Sequence, residues 1–389
     1  MLIHICATLI FSVTALLLAR KSVHIRLVVA AVFLFPPAVP YGIVLISWLM
    51  ICKCLPGNKY HWVDDFLWGW YQKFVLYLFE TCTEAQILFY GDIDELLKKK
   101  ENVLYISNHQ TPMDWIVADM LAIRQGSAGS IRYMLKDQLL WVPLYGWGFS
   151  HHGCVYVRRE GGFRADIAER SLEYLNSLEN SNFWMVIYPE GTLFKLSHER
   201  FSELVAKGEK IAREQGVAPL KHHYFPRLRG TQLALQRLRP SLDAIYDVTL
   251  LYQESLPLGP DGRRRDATPM VPWLSSQKPQ VHIALRRIPI SAVPSVDDSA
   301  ALNRWLYDLF RRKDEALEDF LTQKRVFPQV TGGGRSLPLP FHTTFIPSLT
   351  FVLLTCAMLL LPQLWHFYFV FLILEAIGGY AYLWCKQIA

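Results

Sequence analysis

The 389-residue sequence has little charge, no cysteine framework, and no serine or cysteine placed as an activated nucleophile. Charged residues make up 19% of the chain against 52% hydrophobic ones, with a mean hydropathy of +0.17, a balance that is high for a soluble protein. The seven cysteines are scattered without the spacing of a disulfide framework or a zinc site, and Cys52-x-Cys54 comes nearest to one at the edge of an apolar run. Reduced thiols are therefore expected. The net charge of +6 is modest, and neither a nucleic-acid motif nor a long basic run is present. That speaks against a nucleic-acid partner and leaves anionic lipid surfaces and anionic substrates. Internal repeats and long low-complexity tracts are also missing.

The hydrophobic excess sits at the two ends. Residues 1–19 are nearly all apolar and stop at Arg20-Lys21. A second run, 27–51, is interrupted by Pro36, Pro37 and Pro40, and runs 345–361 and 364–385 are separated by Pro362-Gln363. A spanning helix needs about 20 apolar residues, so each run is near that length. A buried core helix would explain any one of them, but four charge-poor runs confined to the termini point to attachment to a bilayer. The first run could be a signal peptide. Its positive charges follow the apolar stretch, however, and no small-x-small cleavage site is clear, so it reads as an anchor. The prolines predict a kinked or re-entrant second segment. Arg20, Lys21 and Arg26 favour a cytosolic loop between the first two runs. The middle of the chain is luminal if both runs cross and cytosolic if one only dips in.

Between these ends, short apolar strands alternate with amphipathic helices, the signature of an α/β domain. Strands are expected at 102–107, 131–135, 153–158, 183–188, 244–252 and 281–285. Helices are expected at 65–79, 114–124, 163–178, 201–214 and 230–238. Residues 256–276 read as a surface loop, 303–324 as a charged amphipathic helix and 331–340 as a linker. The division is membrane segments 1–51, an α/β domain 52–290, a helix and linker 291–340, and a membrane helix pair 341–389.

Asn108-His109-Gln110-Thr111-Pro112-Met113-Asp114 joins a strand to a helix. Thr111-Pro112 is a strong helix start, with Thr as N-cap and Pro at the first helical position, which makes Asp114 the third helical residue. A carboxylate there can face back to the preceding turn, where His109 sits. An aspartate that orients an imidazole and leaves its other nitrogen free for a proton is half of a hydrolase-style triad. With no nucleophile nearby, the hydroxyl to be activated would belong to the substrate. A well-capped helix with an inert histidine is the competing reading of the same segment.

Three further groups carry polar chemistry. Gly153-Cys154-Val155-Tyr156-Val157-Arg158-Arg159 is a glycine-led strand ending in two arginines, which can fork a phosphate or simply be solvated. His151-His152 resembles a metal pair, but adjacent strand positions point apart and no third ligand is suitably spaced, which argues against zinc. Val186-Ile187-Tyr188-Pro189-Glu190-Gly191-Thr192 is a buried strand breaking at a glycine turn, and such strand ends hold ligands in open α/β sheets. Glu190 there can bond a substrate hydroxyl, brace a basic side chain, or belong only to a turn. Lys221 to Arg227 adds cations and Pro226 before Gly230.

In this order the segments resemble the blocks of the glycerolipid acyltransferase family, over roughly residues 102–230. The His-x-x-x-x-Asp box is matched by His109 and Asp114. The Gly-x-x-Phe-x-x-Arg block is matched by Gly153, Tyr156 in place of phenylalanine, and Arg159. The Pro-Glu-Gly-Thr-Arg block is matched from Pro189 to Thr192, and the later proline block by Pro226. A Lys-x-x-Leu-x-x-x-Pro-x-x-Gly stretch, 136–146, is also similar to the family. Segments 114–119 and 241–249 resemble its epsilon-type 1-acylglycerol-3-phosphate and lysocardiolipin acyltransferase branch. Leu193 departs from the pattern, standing where many members carry arginine.

The resemblance implies a glycerolipid-acyltransferase-like sheet flanked by helices, with membrane helices at both ends. It implies transfer of an acyl chain from acyl-CoA, a cosubstrate, to the hydroxyl of a lysophospholipid, with lysophosphatidic acid the expected acceptor and phosphatidic acid the product. His109 would be the general base and Asp114 its orienting partner. Arg159 would bind the glycerol phosphate, with Gly153, Glu190, Gly191 and Thr192 around it and Lys136 near an anionic group. No metal or prosthetic group is called for. An endoplasmic reticulum membrane is expected, with the mitochondrial outer membrane as the alternative. A remodelling enzyme for lysocardiolipin or another lysophospholipid, a thioester or phosphoester hydrolase, and a non-enzymatic scaffold are the competing functions.

Overall fold

The structure, a computed structural model, describes residues 2–34, 36–52, 54, 60–142, 145–157, 165–178, 182–256, 264–330 and 333–388. Its centre is a mixed eight-stranded sheet. The strands are β1 (Gln86–Gly91), β2 (Val103–Ser107), β3 (Ile131–Lys136), β4 (Val155–Val157), β5 (Trp184–Ile187), β6 (Ala244–Tyr252), β7 (Gln280–Pro289) and β8 (Arg335–Ser336). Their order is β4-β3-β5-β2-β6-β7-β1-β8. All pairs from β4 to β6 are parallel, as is β7 with β1, whereas β6–β7 and β1–β8 are antiparallel.

Burial follows from that order. Every residue of β2, β5 and β6 is buried, as expected for near-continuous apolar strands covered on both faces. The period of two divides them: Val103, Tyr105, Trp184 and Val186 enter one core, and Leu104, Ile106, Met185 and Ile187 the other. The first core also takes residues of helix Asp114–Gln125 and of the terminal helices; the second takes helices Ala165–Asn176, Leu228–Leu238 and Ser299–Gln323.

Six of the eight strands lie where the sequence places them, though β4 is shorter and β7 longer than expected. β1 and the two-residue β8 were not expected, and β8 falls inside the segment read as a linker. Its pairing with β1 through Leu88 and Phe89 is a tertiary contact with no local signature. The loop at 256–276 contains a short helix, Met270–Ser275.

Among the described residues, three stretches are long and apolar enough to cross a membrane: Val23–Cys52, Phe341–Leu360 and Leu364–Cys385. The first breaks into Val23–Phe33 and Ala38–Cys52 across Pro36-Pro37, the kink expected of prolines that supply no N–H. The first apolar run also forms a helix, Leu2–Lys21. The last helix exposes Phe367, Val370, Ile373, Leu374, Ile377 and Trp384, an apolar surface suited to lipid.

Candidate active site

β2 and β5 run parallel with Ile106 beside Ile187, so the segments leaving their carboxyl ends emerge together. His109 follows the first and Tyr188 to Thr192 the second. The longer β6 continues past β2, bringing Leu250 and Tyr252 to the same place. Carboxyl ends of parallel strands are where open α/β sheets hold ligands.

Asn108 fixes the exit from β2. It is fully buried; its amide donates to Leu250 O at 3.0 Å and accepts from Leu250 N at 2.8 Å. His109 Nδ1 then lies 2.8 Å from Asp114 Oδ2. The same oxygen accepts from the backbone N–H of Gln110 at 2.7 Å and of Thr111 at 3.1 Å, and Asp114 Oδ1 accepts from the Tyr252 hydroxyl at 2.6 Å. Four donors on one buried side chain suit a carboxylate and set Nδ1 of His109 as a donor. Tyr188 stacks on the imidazole with ring centroids 4.3 Å apart. The histidine side chain is 19% exposed, and among the described residues no hydrogen bond occupies its Nε2. That nitrogen is open to a substrate proton.

The helix start differs from the expectation. Helix Asp114–Gln125 begins at Asp114 itself, after a turn in which Asp114 N donates to Thr111 O at 3.1 Å. Met113, not Thr111, stands at the N-cap position, although the Thr111 hydroxyl accepts from Met113 N at 3.4 Å while donating to Thr268 O at 2.7 Å. The carboxylate reaches back to the turn as expected, and its bonds to Gln110 and Thr111 shape the backbone ahead of the helix.

Glu190 ties the second strand end to the first. Its Oε1 accepts from His109 N at 2.7 Å and its Oε2 from Tyr224 N at 3.0 Å. The geometry is that of a brace for backbone, a role the sequence did not suggest, rather than for a basic side chain. Burial pushes its carboxyl up to about 8, against the opposing pull of those two N–H groups. Phe194 N donates to His109 O at 2.7 Å, so the histidine backbone is held from both sides. Gly191 adopts φ +73°, and the Arg227 guanidinium packs against it.

The other expected residues are placed less directly. Gly153 has φ +93°, and a Cβ there would meet Tyr174 and Leu175 at 3.1–3.2 Å, so glycine is required by backbone and packing. Lys136 is exposed at the end of β3, with β5 between it and β2. Arg158 and Arg159 lie outside the described residues. Tyr188, Tyr252 and Asn108 were missed as site residues. The only signal for Tyr252 is its even spacing from Ala244 and Tyr246, which puts it on their face of β6.

His152 does not form a metal pair with His151. It bonds Asp64 at 2.6 Å, beside an Arg132–Asp65 ion pair of 2.6 Å. Asp64, Asp65 and His152 are close enough to share a metal, but these oppositely charged contacts already engage them.

Comparison with known proteins agrees with this layout. The family described as acyltransferase matches residues 91–220, and the acyltransferase C-terminus family matches 273–357. The chain is 37% identical over 304 residues to 1-acyl-sn-glycerol-3-phosphate acyltransferase epsilon of Mus musculus, covering 78% of this chain and 80% of that one. It is 31% identical to a probable 1-acyl-sn-glycerol-3-phosphate acyltransferase 5 of Arabidopsis thaliana (66% of this chain, 62% of that one). The gamma enzyme of Mus musculus is also 31% identical (67% and 63%), so the chain spans a little under two thirds of these last two. A solved 1-acyl-sn-glycerophosphate acyltransferase from Thermotoga maritima matches 78% of this chain and 95% of its own at 16% identity, with a TM-score of 0.41. That likeness adds nothing to the fold seen directly. An α/β sheet with a histidine–aspartate pair at its strand ends and apolar helices at both termini is the class of protein defined here. The chain belongs to the glycerolipid acyltransferase family and is an acyltransferase similar to the 1-acyl-sn-glycerol-3-phosphate acyltransferases.

Proposed function

We propose that the chain transfers an acyl group from acyl-CoA to the free hydroxyl of lysophosphatidic acid, giving phosphatidic acid. The observation that carries this reading is the His109–Asp114 pair with Nε2 of the imidazole left open. Nε2 takes the proton of the lipid hydroxyl as its oxygen attacks the thioester carbonyl. An oxygen–carbon bond forms, the carbon–sulfur bond breaks, and the proton passes from the imidazolium to the departing coenzyme A sulfur. Asp114 keeps the proton on Nδ1 and stabilises the charged ring. Arg159 contacts the glycerol phosphate, Gly191 and Thr192 complete that pocket, and Glu190 holds its backbone. The apolar terminal helices keep this chemistry at a bilayer, where both lipids reside.

Leu193, in place of arginine, is the observation that keeps a remodelling acyltransferase in view. A panel of lysophosphatidic acid, lysocardiolipin and neutral or zwitterionic lysolipids, each with oleoyl-CoA, tests the assignment. Lysophosphatidic acid is expected to give the highest kcat/KM. A higher value for another lysolipid overturns the acceptor, and coenzyme A release that is independent of any acceptor overturns acyl transfer in favour of hydrolysis.

A further inference from the structure

A cavity of about 420 Å³ opens beside the Pro189 to Thr192 turn, lined among others by Glu190, Thr192, Lys207, Tyr224, Arg227 and Asn303. Its size falls within the range of small-molecule sites. Two cations from separate elements face it: Lys207 on helix Phe201–Glu214, and Arg227 just ahead of helix Leu228–Leu238.

Their neighbours are paired by direct contact, whereas Lys207 acts on Glu203 only at longer range. Arg200 holds Glu203 through two bonds of 2.7 and 2.8 Å, and Lys210 lies 3.9 Å from Glu214. Neither Lys207 nor Arg227 makes a side-chain hydrogen bond or ion pair with any described residue. Arg227 is nevertheless held in place. Its backbone N–H donates to Pro189 O at 2.8 Å. Its Cζ, Nε and Nη1 each lie 3.3 Å from where a Cβ on Gly191 would stand, so the guanidinium lies face-on against the turn. Arg227 is open to solvent, and partial desolvation against the turn together with the nearby charge of Arg200 lowers its pKa, which an anion would relieve. Glu190, the carboxyl in the wall, has both oxygens committed to backbone N–H groups.

We propose that this cavity takes a phosphomonoester, bound by Arg227 and Lys207, and so supplies the cationic contact that Leu193 does not. A planar guanidinium and an ammonium from two directions suit the terminal oxygens of a phosphomonoester. The proposal rests on the acyl-transfer reading for its two candidate sources: the head group of lysophosphatidic acid and the 3′-phosphate of coenzyme A. Glu190 links the cavity to the His109 backbone, so a phosphate seated there is tied to the same turn that positions the base.

The test uses the full chain in lipid–detergent micelles, as wild type, Arg227→Gln, Lys207→Gln and the double variant. KM is measured for lysophosphatidic acid and for oleoyl-CoA, each with the other saturating. Loss of one charge-assisted contact is expected to raise one KM about tenfold while kcat stays within about twofold. A change confined to lysophosphatidic acid supports the head group as the source. A change confined to oleoyl-CoA, and abolished with oleoyl-dephospho-CoA, supports the 3′-phosphate. Unchanged KM for both substrates in the double variant overturns the proposal. Thermal shifts with coenzyme A and with lysophosphatidic acid separate the two levels of inference. A wild-type shift lost in the double variant upholds the cavity even if no lysolipid is acylated, whereas normal turnover with equal shifts in both proteins upholds only the acyl-transfer reading.

Discussion

Of the three histidine–aspartate pairs among the described residues, His109–Asp114 and His152–Asp64 both stack the imidazole on an aromatic ring, and they differ in what surrounds the second ring nitrogen. In the His152–Asp64 pair, 2.6 Å long, both side chains are fully buried, Nε2 meets Ile131 O at 3.2 Å, and Trp68 stacks on the ring at 4.2 Å. A carboxylate and a carbonyl thus occupy both edges of the His152 ring, and neither nitrogen faces open space. In the His109–Asp114 pair, 2.8 Å long, the ring is also stacked, on Tyr188, but Nε2 is unoccupied and the side chain is part-exposed. A histidine–aspartate contact is therefore no signature of acid–base chemistry by itself. The second nitrogen and its access decide: it is bonded in His152, buried without a partner in His223, and open on a part-exposed ring in His109, which suits the proposed base.

The largest effect expected from breaking this comparison is on turnover. His109→Ala should lower the initial acyl-transfer rate by about two to four orders of magnitude, with the membrane fraction unchanged and only a modest drop in thermal midpoint, because Tyr188 loses its stacking partner while Asp114 keeps three other donors. A rate within threefold of wild type would remove His109 from the chemistry. Asp114→Asn should fall in the same range, since it loses the charge that fixes the Nδ1 proton. The double variant should be no slower than His109→Ala alone, as for residues that act as one unit. Additive losses would show that Asp114 works through something other than the imidazole.

Much of this arrangement is legible in the chain itself. The apolar run at 103–106, the Thr111-Pro112 turn and the five-residue spacing place His109 and Asp114 within reach, and 186–192 reads as a strand breaking at a glycine turn. What cannot be read is which strand ends become neighbours. β2 lies between β5 and β6, so Glu190 braces His109 from one side and Tyr252 holds Asp114 from the other, across separations of 81 and 138 residues. The helix register was misplaced for a related reason. Thr111 looked like the cap from its neighbours alone; its hydroxyl does accept from Met113 N, but it is also tied to Thr268, a partner 157 residues away, and the helix begins only at Asp114. His152 posed the opposite difficulty: the adjacent His151 suggested a ligand pair, while its real partner, Asp64, carries no sequence mark.

The buried pair should answer to stability where the open pair answers to rate. Asp64→Asn or His152→Ala leaves one buried partner uncompensated and should cost about 3–5 kcal/mol, read as a lower thermal midpoint. Activity per folded molecule should be retained. Loss of activity with unchanged stability would place His152 in the reaction and erase the distinction. Acid provides a second readout. Burial raises the Asp64 carboxyl, but the His152 charge and hydrogen bond outweigh it, so the net displacement is downward. Its stabilising contribution is present above the unfolded value of about 4 and is lost as pH falls below it. Asp64→Asn should flatten that acid limb.

The smallest expected effect concerns Glu190, which joins the open pair to the neighbouring turn. Burial lifts its carboxyl to about 8, so between the unfolded value of about 4.5 and 8 the folded state holds a proton that the unfolded state releases. Stability from this group is present at low pH and declines as pH rises through that window, opposite in sign to Asp64. The wild-type thermal midpoint should therefore drop between pH 6 and pH 8.5 by more than that of Glu190→Gln, a difference on the order of a few degrees. The glutamine variant should also start lower, because its amide turns an N–H toward a backbone donor at His109 or Tyr224 and leaves one of them unmet. Parallel midpoint-against-pH curves in the two proteins would show that Glu190 is already ionised throughout. Its two N–H donors would then outweigh burial, and the turn beside His109 would carry a full negative charge.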